Sequence, residues 1–229
     1  MSKSAPAFAP DGLSFLRALK RNNRREWFQP RKDRYETLVR APMIAIVEQL
    51  AVDLRKSAPE VMIDPRRAIY RIYRDTRFSA DKTPYKTHIA ASFPWRGLPR
   101  HEGAGLYFHV SPTEIWIGGG MYAPQTTQLQ AVREHIARNH RRLRSIVESA
   151  AFKRVIGSLE GEQLQRVPRG FAADHPAAAW LKYRQFLAGR ELPPAAATKP
   201  ALYRGILETF AVVMPLVRFI NEPLVSRGR

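Results

Sequence analysis

Helix-periodic stretches at both ends of the chain, with strand-like stretches between them, predict an α+β fold: an antiparallel or mixed central sheet with helices from the N-terminal and C-terminal segments packed on it. Three observations carry this expectation. Near the start, Leu13, Phe15, Leu16 and Leu19, then Tyr35, Leu38, Val39, Ile46, Val47, Leu50 and Leu54, recur at near-helical spacing. Residues 105–110 and 114–118 are short runs on either side of Ser111-Pro112-Thr113, the pattern of a β-hairpin. Residues 201–225 close the chain as a long helix with Leu202, Ile206, Phe210, Val213, Val217 and Ile220 on its inward side.

The remaining elements follow in order. Asp11 is placed to cap the first helix, and Asn22-Asn23 ends it. A longer helical stretch covers residues 30–56, with Pro30 in its first turn and Pro42 expected to kink or split it. Trp27 and Phe28 lie between basic residues and could stack on a base, but anchoring a helix junction in the core is the favoured role. Residues 58–65 read as a loop. Ile69, Arg71, Tyr73 and Asp75 then alternate with Tyr70, Ile72 and Arg74, as on the two sides of a strand. Turn chemistry around Pro84 leads into a second strand up to Trp95, and residues 96–104 read as a polar turn. Gly118-Gly119-Gly120 reads as a strand exit in preference to a phosphate cradle, because the Gly-Lys-Ser/Thr of a P-loop does not follow. Two helices broken at Asn139-His140 occupy residues 125–148, with Arg133, Arg138, Arg141, Arg142 and Arg144 on a solvated face. Residues 166–171 read as an edge segment, and Asp174 as the cap of a helix over 176–182. A last strand over 183–192 and a Pro/Ala linker over 193–200 complete the chain. Residues 1–10 are expected to be a disordered N-terminus, and residues 11–229 one α+β domain.

Charge and composition narrow the function. The chain has 38 basic and 20 acidic residues, a net charge of +18. Such a field raises the local concentration of anions, nucleic acid included. There is no cysteine, which excludes thiolate catalysis, disulfides and cysteine metal sites. The six histidines are scattered, so neither a metal nor a cofactor is expected. No apolar run reaches the ~18 residues needed to span a bilayer, and residues 1–10 lack the apolar centre of a signal peptide. A cytoplasmic protein is expected, with an anionic ligand as its partner.

The sixteen residues from Arg71 to Lys86, RIYRDTRFSADKTPYK, are the candidate site. Arg71, Arg74, Asp75, Arg77, Lys82, Tyr85 and Lys86 are the expected ligand-binding residues. A guanidinium can take two oxygens of a phosphate or carboxylate at once. Two functional readings arise. One is a binding module for a phosphate-bearing ligand. The other is an enzyme on a phosphorylated or anionic small molecule, with Asp75 or His175 as the catalytic candidate. The first predicts the cluster on an open basic surface with Trp27 or Tyr85 exposed, and the second predicts it in a concave pocket with His175 near Asp75. A third reading is structural, with each arginine buried against a carboxylate or carbonyl.

The pattern R-x-x-R-D-x-R-F-x-x-x-K-x-P-Y-K, filled by Arg71, Arg74, Asp75, Arg77, Phe78, Lys82, Pro84, Tyr85 and Lys86, resembles the signature of the bacterial domain-of-unknown-function 2461 family. Phe15-Leu16 with Asn22-Asn23 and Arg25-Glu26-Trp27-Phe28 is similar to the family's opening. Arg166-Val167-Pro168-Arg169-Gly170-Phe171 with Asp174-His175-Pro176 is similar to its second block. The resemblance covers nearly the whole chain. It implies a single-domain protein of about this length and carries no activity with it.

Overall fold

The computed structural model describes residues 5–99 and 102–225. Helix α1 (Pro10–Arg21) has Ala9 at the cap position and Pro10 in the first turn, where a missing N–H costs nothing. Asp11 is therefore not the cap; it lies in the first turn, near the positive end of the helix dipole. Asn22 ends the helix and donates from its side chain to the Ala18 carbonyl at 2.9 Å. The segment expected to be disordered is in part packed: Phe8 is 2% exposed and its N–H donates to the Ala197 carbonyl at 2.9 Å. Residues 1–4 of that expectation lie outside the described residues.

Residues 25–53 make one helical path through α2 (Arg25–Phe28), a 3₁₀ turn (Gln29–Arg31), α3 (Lys32–Tyr35), a π-helical turn (Glu36–Arg40) and α4 (Ala41–Asp53). Pro42 has no N–H for the Leu38 carbonyl, and its ring crowds that oxygen. The wider π turn just before it accommodates the proline, so the path does not break. The Leu38 carbonyl faces α1 at Gly12, where a Cβ would come within 2.5 Å of the oxygen. Trp27 packs on Phe15 with ring centroids 5.7 Å apart and thus anchors the junction. After a loop, α5 (Pro65–Ala68) is capped by Asp64, whose carboxylate accepts from the Arg66 N–H at 2.9 Å.

Strands β1 (Ile89–Phe93), β2 (Gly105–Val110), β3 (Ile115–Met121) and β4 (Phe186–Leu192) form a sheet of order β1-β2-β3-β4, and each of these pairings is antiparallel. The mixed alternative therefore falls away. Gly118, Gly119 and Gly120 are not a strand exit. They lie inside β3, opposite Tyr107, Leu106 and Gly105 on one side and Gly189, Ala188 and Leu187 on the other. Their backbone groups serve the two ladders.

Between β3 and β4 run α6 (Thr126–Arg138), α7 (His140–Val147), α8 (Ala150–Val155) and the short α9 (Ala178–Leu181). The Ser149 side chain caps α8. The expected solvated basic face is divided. Arg133 is only 8% exposed and donates to the Tyr183 carbonyl at 3.0 Å. Arg142 donates to Glu222 at 2.6 Å, and Arg144 lies over the Trp180 ring. Residues 166–171 form no strand.

A 3₁₀ turn (Pro194–Thr198) leads into α10 (Ala201–Val225), which lies across one face of the sheet. Phe210 meets Phe93 and Phe108 edge-on, at 5.9 and 6.4 Å. Burying a side chain of this kind contributes about 1.5–3 kcal/mol. Gly119 gives α10 close access: a Cβ there would be 3.0 Å from Val213 Cγ1. Pro215 and Ala211 both face solvent, so the carbonyl that loses its partner to Pro215 can bind water. Among the described residues no helix is long and apolar enough to cross a membrane.

Candidate functional site

With one face of the sheet buried under α10, alternation assigns the other face to Ala90 and Ser92 of β1, Gly105, Tyr107 and His109 of β2, Trp116, Gly118 and Gly120 of β3, and Leu187 and Gly189 of β4. Small residues side by side in neighbouring strands leave a hollow, and a cavity of about 530 Å³ occupies it. The Trp116 indole lies flat on this floor. A Cβ at Gly118 would be 2.6 Å from its Cη2 and one at Gly189 2.3 Å from its Cζ2. Gly118 and Gly189 are register partners, so the two glycines together make room for the ring. Tyr70, Trp95, Tyr107 and Tyr122 form walls. The Tyr107 ring is 6.4 Å from Tyr70 and 5.9 Å from Trp116.

Polar groups thread this aromatic wall. The Tyr107 hydroxyl is 3.2 Å from His109 Nδ1, and His109 Nε2 is 3.3 Å from Glu114 Oε1. A carboxylate can only accept, so Nε2 carries the proton and Nδ1 accepts from the phenol. Burial pushes the Tyr107 phenol up and the His109 imidazole down. The His88 ring stands 5.3 Å from that of His109. Burial first, then the neighbouring His109 and Lys86, holds His88 near 4 against the ordinary 6.5. Lys86 Nζ donates to the Arg71 carbonyl at 2.8 Å and sits 5.4 Å over the Tyr70 ring. Burial and the charge of Arg71 lower its pKa, and among the described residues it has no carboxylate partner.

His88 gives the fold a pH signature. Its folded pKa lies below the unfolded value, so the unfolded chain takes up a proton that the native state refuses. The native advantage is complete above about pH 6.5 and declines as pH falls toward 4. Asp75 and Asp81 act lower, since their carboxyls are held at about 2 against 3.8. Acidification from pH 6.5 to 4 should therefore lower the urea midpoint, and His88→Gln should flatten that slope. An NMR titration of His88 with an inflection near 6.5 would contradict this.

The residues singled out in 71–86 do not converge on one point. Residues 69–73 run beside β1 and the segment before it, with the Tyr70 N–H bonded to the Ala90 carbonyl and single bridges at Ile69–Ala91 and Tyr73–Tyr85. The expected regular strand is absent there. One reason is that the Arg71 carbonyl accepts from the Lys86 ammonium and not from a strand N–H. The chain bends at Ile72, so Tyr70 lines the sheet cavity, where Lys86 joins it, while Arg74 and Tyr85 line a smaller cavity of about 330 Å³. Asp75 holds Arg77 by two bonds of 3.0 and 2.8 Å. Arg74 is held by Asp81 and the Thr83 hydroxyl, and Lys82 Nζ donates to the Thr76 carbonyl at 3.0 Å. Among the described residues Arg71, Asp75, Arg77 and Lys82 line neither cavity. The Arg77–Asp75 pair is largely exposed, its side chains at 77% and 60%, and such pairs contribute little to stability.

Tyr85 is 1% exposed and is no part of an open surface. His175 is not near Asp75 in any shared cavity. Its Nδ1 accepts from the Ala177 N–H at 3.0 Å, and its ring stands 5.8 Å from His140. Asp174 does not cap α9, which has no side-chain cap bond, and the His175 bond goes to the residue just before the helix. Among the described residues no cluster of three or more His, Asp or Glu could hold a metal ion. Sequence reasoning missed Tyr107, His109, Glu114 and Trp116. The available signal was the alternation of Gly105, Tyr107 and His109 with inward residues, matched by Trp116, Gly118 and Gly120.

A protein-family model described as "Conserved hypothetical protein (DUF2461)" matches residues 11–219. No curated protein and no solved structure matches the chain.

Proposed function

The chain belongs to the DUF2461 family of conserved hypothetical proteins, so its function has to be read from the site, and we propose that it is a binding module for an anionic, phosphate-bearing ligand whose planar ring enters the sheet cavity. Nucleotides and single-stranded nucleic acid have both parts. The observation that carries this reading is Lys86: a half-buried ammonium with no carboxylate partner among the described residues, at the edge of an aromatic-walled cavity of about 530 Å³. An ammonium drawn partly out of water gains strongly from an incoming anion. The rings of Tyr70, Tyr107 and Trp116 offer stacking surfaces indifferent to which base arrives. The cavity is of the size that takes small molecules. Arg71, next in the chain to Tyr70 and close enough to act on Lys86, is exposed and can meet a further phosphate, and the net charge of +18 draws polyanions in.

The Glu114–His109–Tyr107 chain favours a second reading, an enzyme on an anionic small molecule. Proton transfer would then fall to the His109–Tyr107 pair and not to Asp75 or His175. Turnover of the bound ligand separates the two readings.

The test is titration with adenosine monophosphate and with single- and double-stranded oligonucleotides across a salt series. Ring-bearing phosphates should bind, with affinity falling as salt rises. Lys86→Gln should weaken binding by about 1.5–3 kcal/mol, while the fold stays cooperative. Unchanged affinity in that variant, or no binding at low salt, would remove the reading.

A further inference from the structure

We propose that the smaller cavity is a second, independent anion site for a phosphate group, enclosed by Arg25 and Gln29 on one side and by Tyr73, Arg74, Thr76 and Tyr85 on the other. Its volume, about 330 Å³, suits a phosphate with its waters. Among the described residues its lining contains no carboxylate and several donors. Arg25 makes no side-chain hydrogen bond or ion pair with any described residue. Arg74 is steadied at one nitrogen by Asp81 and Thr83, which leaves other N–H groups of the guanidinium to donate.

The back of the cavity supplies the second argument. Tyr85 is 1% exposed, and its position is fixed from three directions. Asn23 accepts from its N–H at 3.0 Å, Asn23 donates to its carbonyl at 2.8 Å, and the Phe28 ring lies 4.2 Å from its own. The described partner of its hydroxyl is the Gln29 amide, which donates to it at a long 3.5 Å. The phenol proton therefore has no acceptor among the described residues, and a buried donor of that kind is costly unless something accepts from it. Arginine forks, a phenol O–H and an amide N–H facing one volume match the oxygens of a phosphate monoester or of inorganic phosphate.

Calorimetric titration of the purified chain with inorganic phosphate, in a buffer free of other multivalent anions, tests the site. One saturable event is expected. Arg25→Gln should weaken it at least about tenfold and Tyr85→Phe, which keeps the ring packed on Phe28, by several-fold. Lys86→Gln should leave it unchanged. No saturable binding to the wild-type chain would overturn the proposal. So would binding that survives Arg25→Gln, or binding lost in Lys86→Gln and kept in Arg25→Gln, which would send the anion to the sheet cavity. None of these outcomes removes the sheet-cavity reading, which is judged on ring-bearing ligands and the Lys86→Gln variant.

Discussion

Gly118→Ala should destabilise the fold by more than about 3 kcal/mol, at the upper end of what overpacking costs, and abolish binding in the sheet cavity. The new Cβ would lie 2.2 Å from the Ala188 carbonyl oxygen, 2.6 Å from Gly189 Cα and 2.6 Å from Trp116 Cη2. Two of those three atoms are backbone of the neighbouring strand, so no rotamer change relieves them. β3 and β4 must separate, and the ladder around Gly118–Gly189 loosens. Gly118 is not among the positive-φ glycines, so the cost is one of space and not of backbone conformation. Gly189→Ala makes the informative contrast. Its two nearest neighbours, Trp116 Cζ2 at 2.3 Å and Cε2 at 2.7 Å, belong to a side chain that can lift away, and the one backbone atom, the Ile117 carbonyl oxygen, is further off at 2.8 Å. It should cost less stability, shift the tryptophan fluorescence and fill the cavity from below. Urea midpoints and emission spectra of the two variants check both statements. A Gly118→Ala protein within about 1 kcal/mol of wild type would show that the strands are not packed as described.

The contrast also explains what the sequence could and could not reveal. α10 was legible because twenty-five residues at helical period leave little alternative. The β2–β3 hairpin was legible from two short runs around Ser111-Pro112-Thr113, and the structure lengthens β3 through the glycines to Met121. The cavity was not, because it is made of side chains that are missing. Gly105, Gly118, Gly120 and Gly189 become neighbours only once the strand register is known. The 71–86 motif misled in a different way. Its density of charge suggested convergence, yet Asp75 binds Arg77 and Asp81 binds Arg74, partners two and seven positions away. The bend at Ile72 then divides what remains between two cavities. The family was legible in the same motif, because recognising a pattern of residues requires no knowledge of where their side chains point.

Asn221→Leu should cost more than about 2 kcal/mol and impair ligand binding, although Asn221 lies on α10, behind the sheet. The residue is fully buried. Its Nδ2 donates to the Ala104 carbonyl at 2.9 Å and its Oδ1 accepts from the Ala104 N–H at 2.8 Å. The amide thus satisfies both backbone groups of a residue at the cavity edge, where Gly103, Ala104 and Gly105 form part of the lining. Gly103 is at φ +89, and a Cβ there would meet Asn221 Oδ1 at 2.6 Å, so the segment is pressed closely onto the amide. Leucine would leave an N–H and a carbonyl buried without partners, each costing about 1–3 kcal/mol. Asn221→Asp separates this role from simple packing. A carboxylate can accept from the Ala104 N–H, but it faces the Ala104 carbonyl with a buried charge. Once protonated, the same group can donate to that carbonyl and restore both bonds. Its folded pKa should therefore lie above the unfolded value, and its proton-bound form should be the stable one. The deficit of Asn221→Asp relative to wild type at the same pH should be largest near pH 7 and shrink as pH falls toward 4, whereas that of Asn221→Leu should stay constant. Parallel deficits for the two variants across that range would mean that Asn221 fills space there and does not hold the cavity edge through its amide.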